Sequence, residues 1–231
     1  MSVNKLLLHL TARGGKKDEL VSALPDLSRS LCAGLPNGAR ATTLVARDDD
    51  PMRMTGTGRP TRAFDATLEI RLSESDAGNN LARAVRDLGP RLESRIHADS
   101  SAILVGENNV FVSCDPTPIR YQYCMRRRAD FSPAAYLARY GEVHSAFGIK
   151  TRGIAGYTQF HVDAEASRQA AEASGFGIGE VSSVSELHLR SLKEFFVETN
   201  WNRSLGAQED EDQFVDRANS IMWLSDAAAR L

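Results

Sequence analysis

No stretch of this 231-residue sequence approaches the roughly 18 consecutive apolar residues of a membrane-spanning helix, so nothing in it predicts a membrane partner. Excess charge of one sign is missing too. With 28 basic and 30 acidic residues, no overall field recommends nucleic acid or an anionic surface. The one dense basic cluster, Met125 to Arg128, falls at a strand end and reads as a solvated turn rather than a phosphate-reading patch. Cysteine is scarce: Cys32, Cys114 and Cys124 are odd in number and lack metal-ligand spacing. They predict buried free thiols in a reducing compartment. The apolar run in "MSVNKLLLHLTARGG" is too short for a secretory signal and alternates like a strand, so the expected location is cytoplasmic. No nucleophile elbow, Walker sequence or zinc spacing is present. "GFGIG" at Gly175 to Gly179 precedes a strand, not a helix, and reads as a flexible rim loop.

What is present is an ordinary globular composition, 42% apolar and 25% charged, enough for a sizeable core. The order of elements repeats. "NKLLLHLTA" alternates as a strand, and "KKDELVSALPDLSRSL" sets Leu20, Leu24, Leu27 and Leu31 on one helical face. "ARATTLVAR" and "AFDATLEIRL" are strands, "DAGNNLARAVRDLGPRLESRI" a helix, and "SSAILVGENNVFVS" a closing strand or a hairpin turning at Glu107-Asn108-Asn109. After Asp115-Pro116-Thr117-Pro118 the cycle restarts with the strand "IRYQYCMRR". A helix follows, opened by Ser132 as N-cap and Pro133 at its first position, then the strands "GIAGYTQFHV" and "GEVSSVSELHL" and the helix "SLKEFFVET". "AEASRQAAEAS" is a short helical excursion, and "DQFVDRANSIMWLS" reads as a helix before a last strand. Each half is βαββαβ, a ferredoxin-like arrangement. The expected fold class is α+β, with halves over residues 1–115 and 118–231. Each half would cover one sheet face with helices and press the open face against the other half. The result is a barrel of the dimeric α/β-barrel type within one chain. Two separate domains, each covered by another subunit, are the alternative, and a homodimer of the whole barrel stays open.

Tyr136, Tyr140 and His144 are spaced by four and form one helical stripe, with Ala135 and Val143 expected on its core-facing flank. On the next strand, period two separates Ile154, Thr158, Phe160 and Val162 from Tyr157, Gln159, His161 and Asp163. The apolar set suits the helix-covered face, which predicts the polar set in the barrel interior. The following strand sends Leu187 and Leu189 to the helices and Val184, Glu186 and His188 inward. Thr67, Glu69 and Arg71, with His9, are the first half's interior contribution. A buried unsatisfied polar group costs about 1–3 kcal/mol, so this concentration predicts a wet or ligand-filled cavity. A satisfied polar network joining the halves is the competing explanation.

At these residues the sequence resembles the EthD family of dimeric α+β barrel proteins. The matching pieces are "FSPAAYLARYGEVHSAF", with its helix ending in Tyr-x-x-x-His, "GIAGYTQFHV", "VSELHLRSLKEFF", and "EDEDQFVDRANSIMWL" with its Asp-x-x-x-Phe-x-Asp ending. The likeness spans about residues 118–225. It implies a barrel and, from fungal members of the family, dehydratase or decarboxylase chemistry on aromatic compounds. His144, Tyr157, Gln159 and Glu186 match the residues implicated there, while His188 departs from the family's usual aromatic residue.

The mechanism expected is cofactor-independent acid–base chemistry on a small apolar or aromatic ligand. His144 or His161 is the base, Tyr157 and Gln159 steady developing negative charge, and Glu186 is a raised-pKa acid or orients a histidine. Tyr136, Tyr140, Gln159 and His188 would line the ligand. Two alternatives stand beside it. One is a non-enzymatic ligand carrier in a degradation pathway. The other is a metal- or haem-dependent oxidoreductase using His161, Glu186 and His188, although no metal or cofactor is required by the primary reading.

Overall fold

The computed structural model describes residues 3–35, 38–59, 63–72, 77–177 and 179–230. Nine strands are present among them: β1 (Lys5–Leu10), β2 (Arg40–Ala46), β3 (Met54–Thr55), β4 (Ala66–Arg71), β5 (Ala102–Val112), β6 (Ile119–Met125), β7 (Gly156–Val162), β8 (Ser183–Leu189) and β9 (Ile221–Arg230). Eight of them pair in the order β2-β4-β1-β5-β7-β8-β6-β9, and β9 returns to β2, so the antiparallel sheet closes into a barrel within one chain. The short β3 pairs with the start of β9. Residues 5–112 supply four consecutive barrel strands and residues 119–230 the other four, which meet at the β5–β7 and β2–β9 seams.

The helices cover the outside: α1 (Lys17–Ala33), α2 (Ala77–Ala84), α3 (Leu88–Leu92), α4 (Pro133–Ala138), α5 (Ser145–Lys150), α6 (Ala164–Ser174), α7 (Leu192–Val197), α8 (Thr199–Ser204) and α9 (Ala207–Phe214). A π turn, Arg139–His144, joins α4 to α5. The expected cap is formed: Ser132 Oγ accepts from Ala135 N–H, with Pro133 at the first position. Asp163, expected in the interior polar set, instead caps α6, its Oδ1 accepting from Ala166 N–H.

Alternation sorts the strands onto two faces. Leu6, Leu8 and Leu10 of β1 meet Leu20, Leu24 and Leu31 of α1 outside the barrel, each fully buried leucine being worth about 1.5–3 kcal/mol. On the opposite side Tyr121, Leu189 and Leu224 meet Tyr136, Phe195 and Phe214. The interior face holds Leu7, Leu104, Phe160, Val184 and Trp223 together with a belt of polar side chains. Gly106 permits the β5–β7 seam, because a Cβ there would lie 2.0 Å from the His161 carbonyl oxygen.

Two expected elements differ. Glu107-Asn108-Asn109 is not a turn: β5 runs straight through it, its backbone groups used by β7 opposite His161, Phe160 and Gln159. The segment "DQFVDRANSIMWLS" divides. The helix ends at Phe214, and Ile221 to Leu224 enter β9, sending Trp223 inward and Leu224 outward. Of the thiols only Cys124 is buried; Cys32 and Cys114 are partly exposed. In the "GFGIG" run, Ile178 lies outside the described residues.

Candidate functional site

Polar side chains gather in two places, one on each face of the second half's sheet. Inside the barrel, Lys5 Nζ lies 3.0 Å from Glu69 Oε2 and closer still to Glu186, and also donates to Asn108 Oδ1 at 3.1 Å. Arg120 Nη1 reaches Glu69 Oε2 and Glu186 Oε1, both at 3.1 Å. Thr158 and Gln122 donate to Glu186 as well. Burial alone would raise both carboxyls. Lys5 and Arg120 outweigh it and hold them below the ordinary glutamate value. Two buried cations thus face two buried anions, with the half-exposed Arg71 adding a 3.0 Å bond to Glu69 Oε1. Among the described residues only Arg120 Nε in this group lacks a partner, and the arrangement is that expected of a network joining two sheets. Glu186 is therefore not the raised-pKa acid expected from desolvation in the barrel, and its hydrogen-bond partners are Lys5, Arg120, Gln122 and Thr158 rather than a histidine. His188, inward as expected, is pushed down to about 3 by burial and then by Arg120. His9 is also interior, with Nδ1 2.9 Å from Thr67 Oγ1, and burial pushes it down to about 3.

The second cluster lies outside the barrel, between β7 and the π turn. Tyr136, Tyr140 and His144 do form one buried stripe, with ring centroids 6.1 and 5.8 Å apart, packed on Phe214. Ala135 and Val143 point to solvent instead, Val143 being 48% exposed. Within the stripe, π geometry is uncommon and often marks functional segments. His144 Nδ1 sits 2.9 Å from Asp210 Oδ2. A carboxylate only accepts, so Nδ1 carries the hydrogen and Nε2 is the basic nitrogen. Arg139 binds the other oxygen of Asp210 and fixes it in place. On its far side, His144 Nε2 is 3.7 Å from Glu211 Oε1. Burial lowers His144, with Asp210 opposing. Burial raises Glu211 to about 7, with Arg217 opposing. A basic imidazole nitrogen and a carboxyl titrating near neutrality therefore face one another.

Gln159 ties the strand to this helix. Its Nε2 donates to the Tyr140 carbonyl at 2.9 Å and to Tyr157 Oη at 2.6 Å. Those two bonds orient the amide, so Oε1 accepts from His161 Nε2 at 3.0 Å and leaves His161 Nδ1 as a lone-pair base. Burial pushes His161 down to about 4 and Tyr157 up to about 12. His161 is half-buried, as are Glu107 and Asn109, which oppose His161 and Gln159 on β5. His161 is therefore the member of this group nearest solvent, while Tyr140, Tyr157, Gln159 and His144 are buried behind it.

This placement corrects the expected orientation of β7. Tyr157, Gln159 and His161 face the helices, while Thr158, Phe160 and Val162 face the interior. Directly opposed residues of an antiparallel pair share a face. Thr158 opposes Glu186 and Tyr157 opposes Leu187, so the two polar rows cannot both turn inward. His161 is accordingly on the other side of the sheet from Glu186 and His188, and the three do not converge as metal ligands. Among the described residues, no three His, Cys, Asp or Glu side chains are grouped as metal ligands would be. Sequence reading missed Asp210 and Glu211, although Asp210 and Phe214 stand four apart in the Asp-x-x-x-Phe motif. It also missed Lys5, Arg120 and Gln122, whose alternation with Leu6, Ile119 and Tyr121 places them inside.

No family model matches the chain, and no curated protein matches it in sequence. Solved structures do match in fold. An anthrone oxidase-like protein superposes over 100% of this chain and 92% of its own, with a TM-score of 0.66 and 11% identity. A monooxygenase-like protein from Lactobacillus acidophilus NCFM covers 100% of this chain and 94% of its own at a TM-score of 0.52 and 7% identity. A dye-decolorizing peroxidase from Bacteroides thetaiotaomicron VPI-5482 covers 98% and 94% at 0.54 and 8%. These solved structures share the fold of this chain, a closed antiparallel barrel with helices outside it. Among the described residues no helix is long and apolar enough to cross a membrane.

Proposed function

We propose that this protein is an EthD-like enzyme that moves protons on a small apolar or aromatic substrate without a cofactor, in a dehydration, decarboxylation or isomerisation. The site is the helix-covered face of β7, not the barrel interior. The observation that carries the reading is His144, pinned by Asp210 at 2.9 Å through Nδ1 with Glu211 3.7 Å from Nε2. His144 Nε2 takes the proton, leaving its electron pair on the substrate as an enolate or phenolate. The Tyr157 O–H faces that charge, His161 Nδ1 stands by as a second base, and Glu211 in its acid form returns a proton. Tyr136 and Tyr140 supply the aromatic wall, and Gln159 positions Tyr157 and His161.

The duplicated organisation, residues 1–115 and 118–231, is part of the proposal. Leu7 opposes Glu69, and Lys5 stands two residues before Leu7; Gln122 opposes Glu186, and Arg120 stands two residues before Gln122. The same basic–acidic pairing at the same register supports a common origin for the halves.

The test is deuterium incorporation at the acidic carbon of small aryl ketones in D2O, followed by NMR. Wild type should exchange, and His144→Gln should lose about 10²–10⁴-fold. Exchange by His144→Gln at the wild-type rate overturns the reading. A second reading draws on the anthrone oxidase-like neighbour: the same deprotonation would hand an aromatic carbanion to dioxygen, giving a carbonyl and water. Oxygen consumption with an anthrone separates the two.

A further inference from the structure

At the end of the barrel away from the buried ion cluster, two concavities adjoin. One is a groove of about 600 Å3 and the other a recess of about 230 Å3; Arg126, Gly179, Glu180, Val181 and Asn219 line both. The recess is floored by Phe64, Ala102, Cys124, Val181 and Ile221, at the start of β5, the end of β6 and the start of β9. Asp99, Ser100 and Ser101 complete its wall, so a ligand carboxylate must turn to Arg126 and away from Asp99, while Phe64 rests on His9, with ring centroids 4.8 Å apart and planes 19° from parallel. A dry apolar cavity of about 150 Å3 already accommodates benzene, so a recess of about 230 Å3 holds one substituted ring.

Three arginines line the groove, but they are not equally free. Arg127 is spent on the carbonyls of Arg128 and Phe131, and Arg168 is clamped between Glu165 and Glu172. Arg126 is held at 3.0 Å by Glu180, whose side chain is 80% exposed. An ion pair that exposed is worth little, so a ligand anion can take the place of Glu180. From these observations we infer that the barrel mouth binds a small aromatic monocarboxylate, its ring against Phe64 and its carboxylate on Arg126. This site is distinct from the His144 cluster and does not rest on the reading proposed for it. An apolar floor with a few polar groups at its edge, here Arg126 as the single cation among the described residues of the recess, is what small-molecule recognition uses.

Titration of the protein with 4-fluorobenzoate, read by fluorine NMR and by calorimetry, tests the inference. Wild type should saturate with one site. Arg126→Gln should weaken binding at least about tenfold, the scale of one lost charge-assisted hydrogen-bond pair. Glu180→Gln should tighten it, because the competing carboxylate is gone, and Val181→Trp should block it by filling the recess. Both charge variants lie at the exposed rim, and an unchanged far-ultraviolet circular dichroism spectrum confirms their fold. Absence of saturable binding, wild-type affinity in Arg126→Gln, or equal binding of 4-fluorobenzyl alcohol would each overturn the inference.

Discussion

Removing one charge from the interior quartet is the most demanding trial of the barrel's energetics. In Glu186→Gln, Lys5 and Arg120 keep their charges but only Glu69 remains to face them. Arg120 sits 3.1 Å from Glu186 and Lys5 sits nearer. At an effective dielectric near 20, a contact of about 3 Å is worth about 5 kcal/mol. Part is recovered because both cations still touch Glu69, and breaking a buried pair costs about 3–5 kcal/mol when measured. For a chain of this size that lowers the melting temperature by roughly 10 °C. A second substitution sharpens the argument. Lys5→Met on top of Glu186→Gln leaves Arg120 and Glu69 as a balanced pair, so the double variant should be more stable than Glu186→Gln alone. The wild type also carries a pH signature. Glu69 and Glu186 are held below their unfolded values, so the stability they give is present above about pH 4.5 and lost as pH falls through their folded values. Urea unfolding of the three proteins at pH 7 reads the result. A Glu186→Gln loss under about 1 kcal/mol, or a double variant worse than the single, would refute the ion-cluster reasoning.

Glu211→Gln should abolish a pH dependence of the opposite sign. With Glu211 raised to about 7, wild type loses stability, on the order of 3 kcal/mol, as pH rises from about 4.5 through 7. The difference between wild type and variant isolates it from the lowered histidines, whose destabilising effect at low pH fades as pH rises toward 6.5. Asp210→Asn should lower turnover by at least about tenfold while changing KM little, since it disorients His144 without touching substrate; unchanged kcat would count against the dyad. In Gly148→Ala, the new Cβ would meet the Tyr157 ring at 2.2 Å. A cost of about 1–3 kcal/mol in thermal unfolding should follow, together with altered Tyr157 absorbance.

The strand order, the helical leucine stripe and the Ser132-Pro133 helix start were legible because each rests on local periodicity or capping. The orientation of β7 was not. Alternation separates Tyr157, Gln159 and His161 from Thr158, Phe160 and Val162, yet it leaves open which set turns inward. Inference from polarity chose the wrong set because the helix above β7 is itself polar and aromatic, offering Tyr140 and its carbonyl as partners for Gln159. Lys5 was invisible for a different reason. A lysine at the start of a strand reads as a solvated end until Glu69 and Glu186, far away in sequence, are brought to it. Asp210 and Glu211 hid inside an acidic run that looks like a solvated face. Their burial comes from the packing of Phe214 against Tyr136 and Tyr140, which places α9 against the π turn.

Closure of the barrel through β5–β7 and β2–β9 within a single chain also changes how the molecule answers to dilution. A barrel assembled from two chains comes apart as protein concentration drops, and its melting temperature follows that concentration. Here the residues between β5 and β6 tether the two sheets, so each keeps the other at a high local concentration however thin the solution. The fold is thereby buffered against low abundance. A single proteolytic cut between Val112 and Ile119 would convert it into a two-piece complex with a dissociation constant of its own.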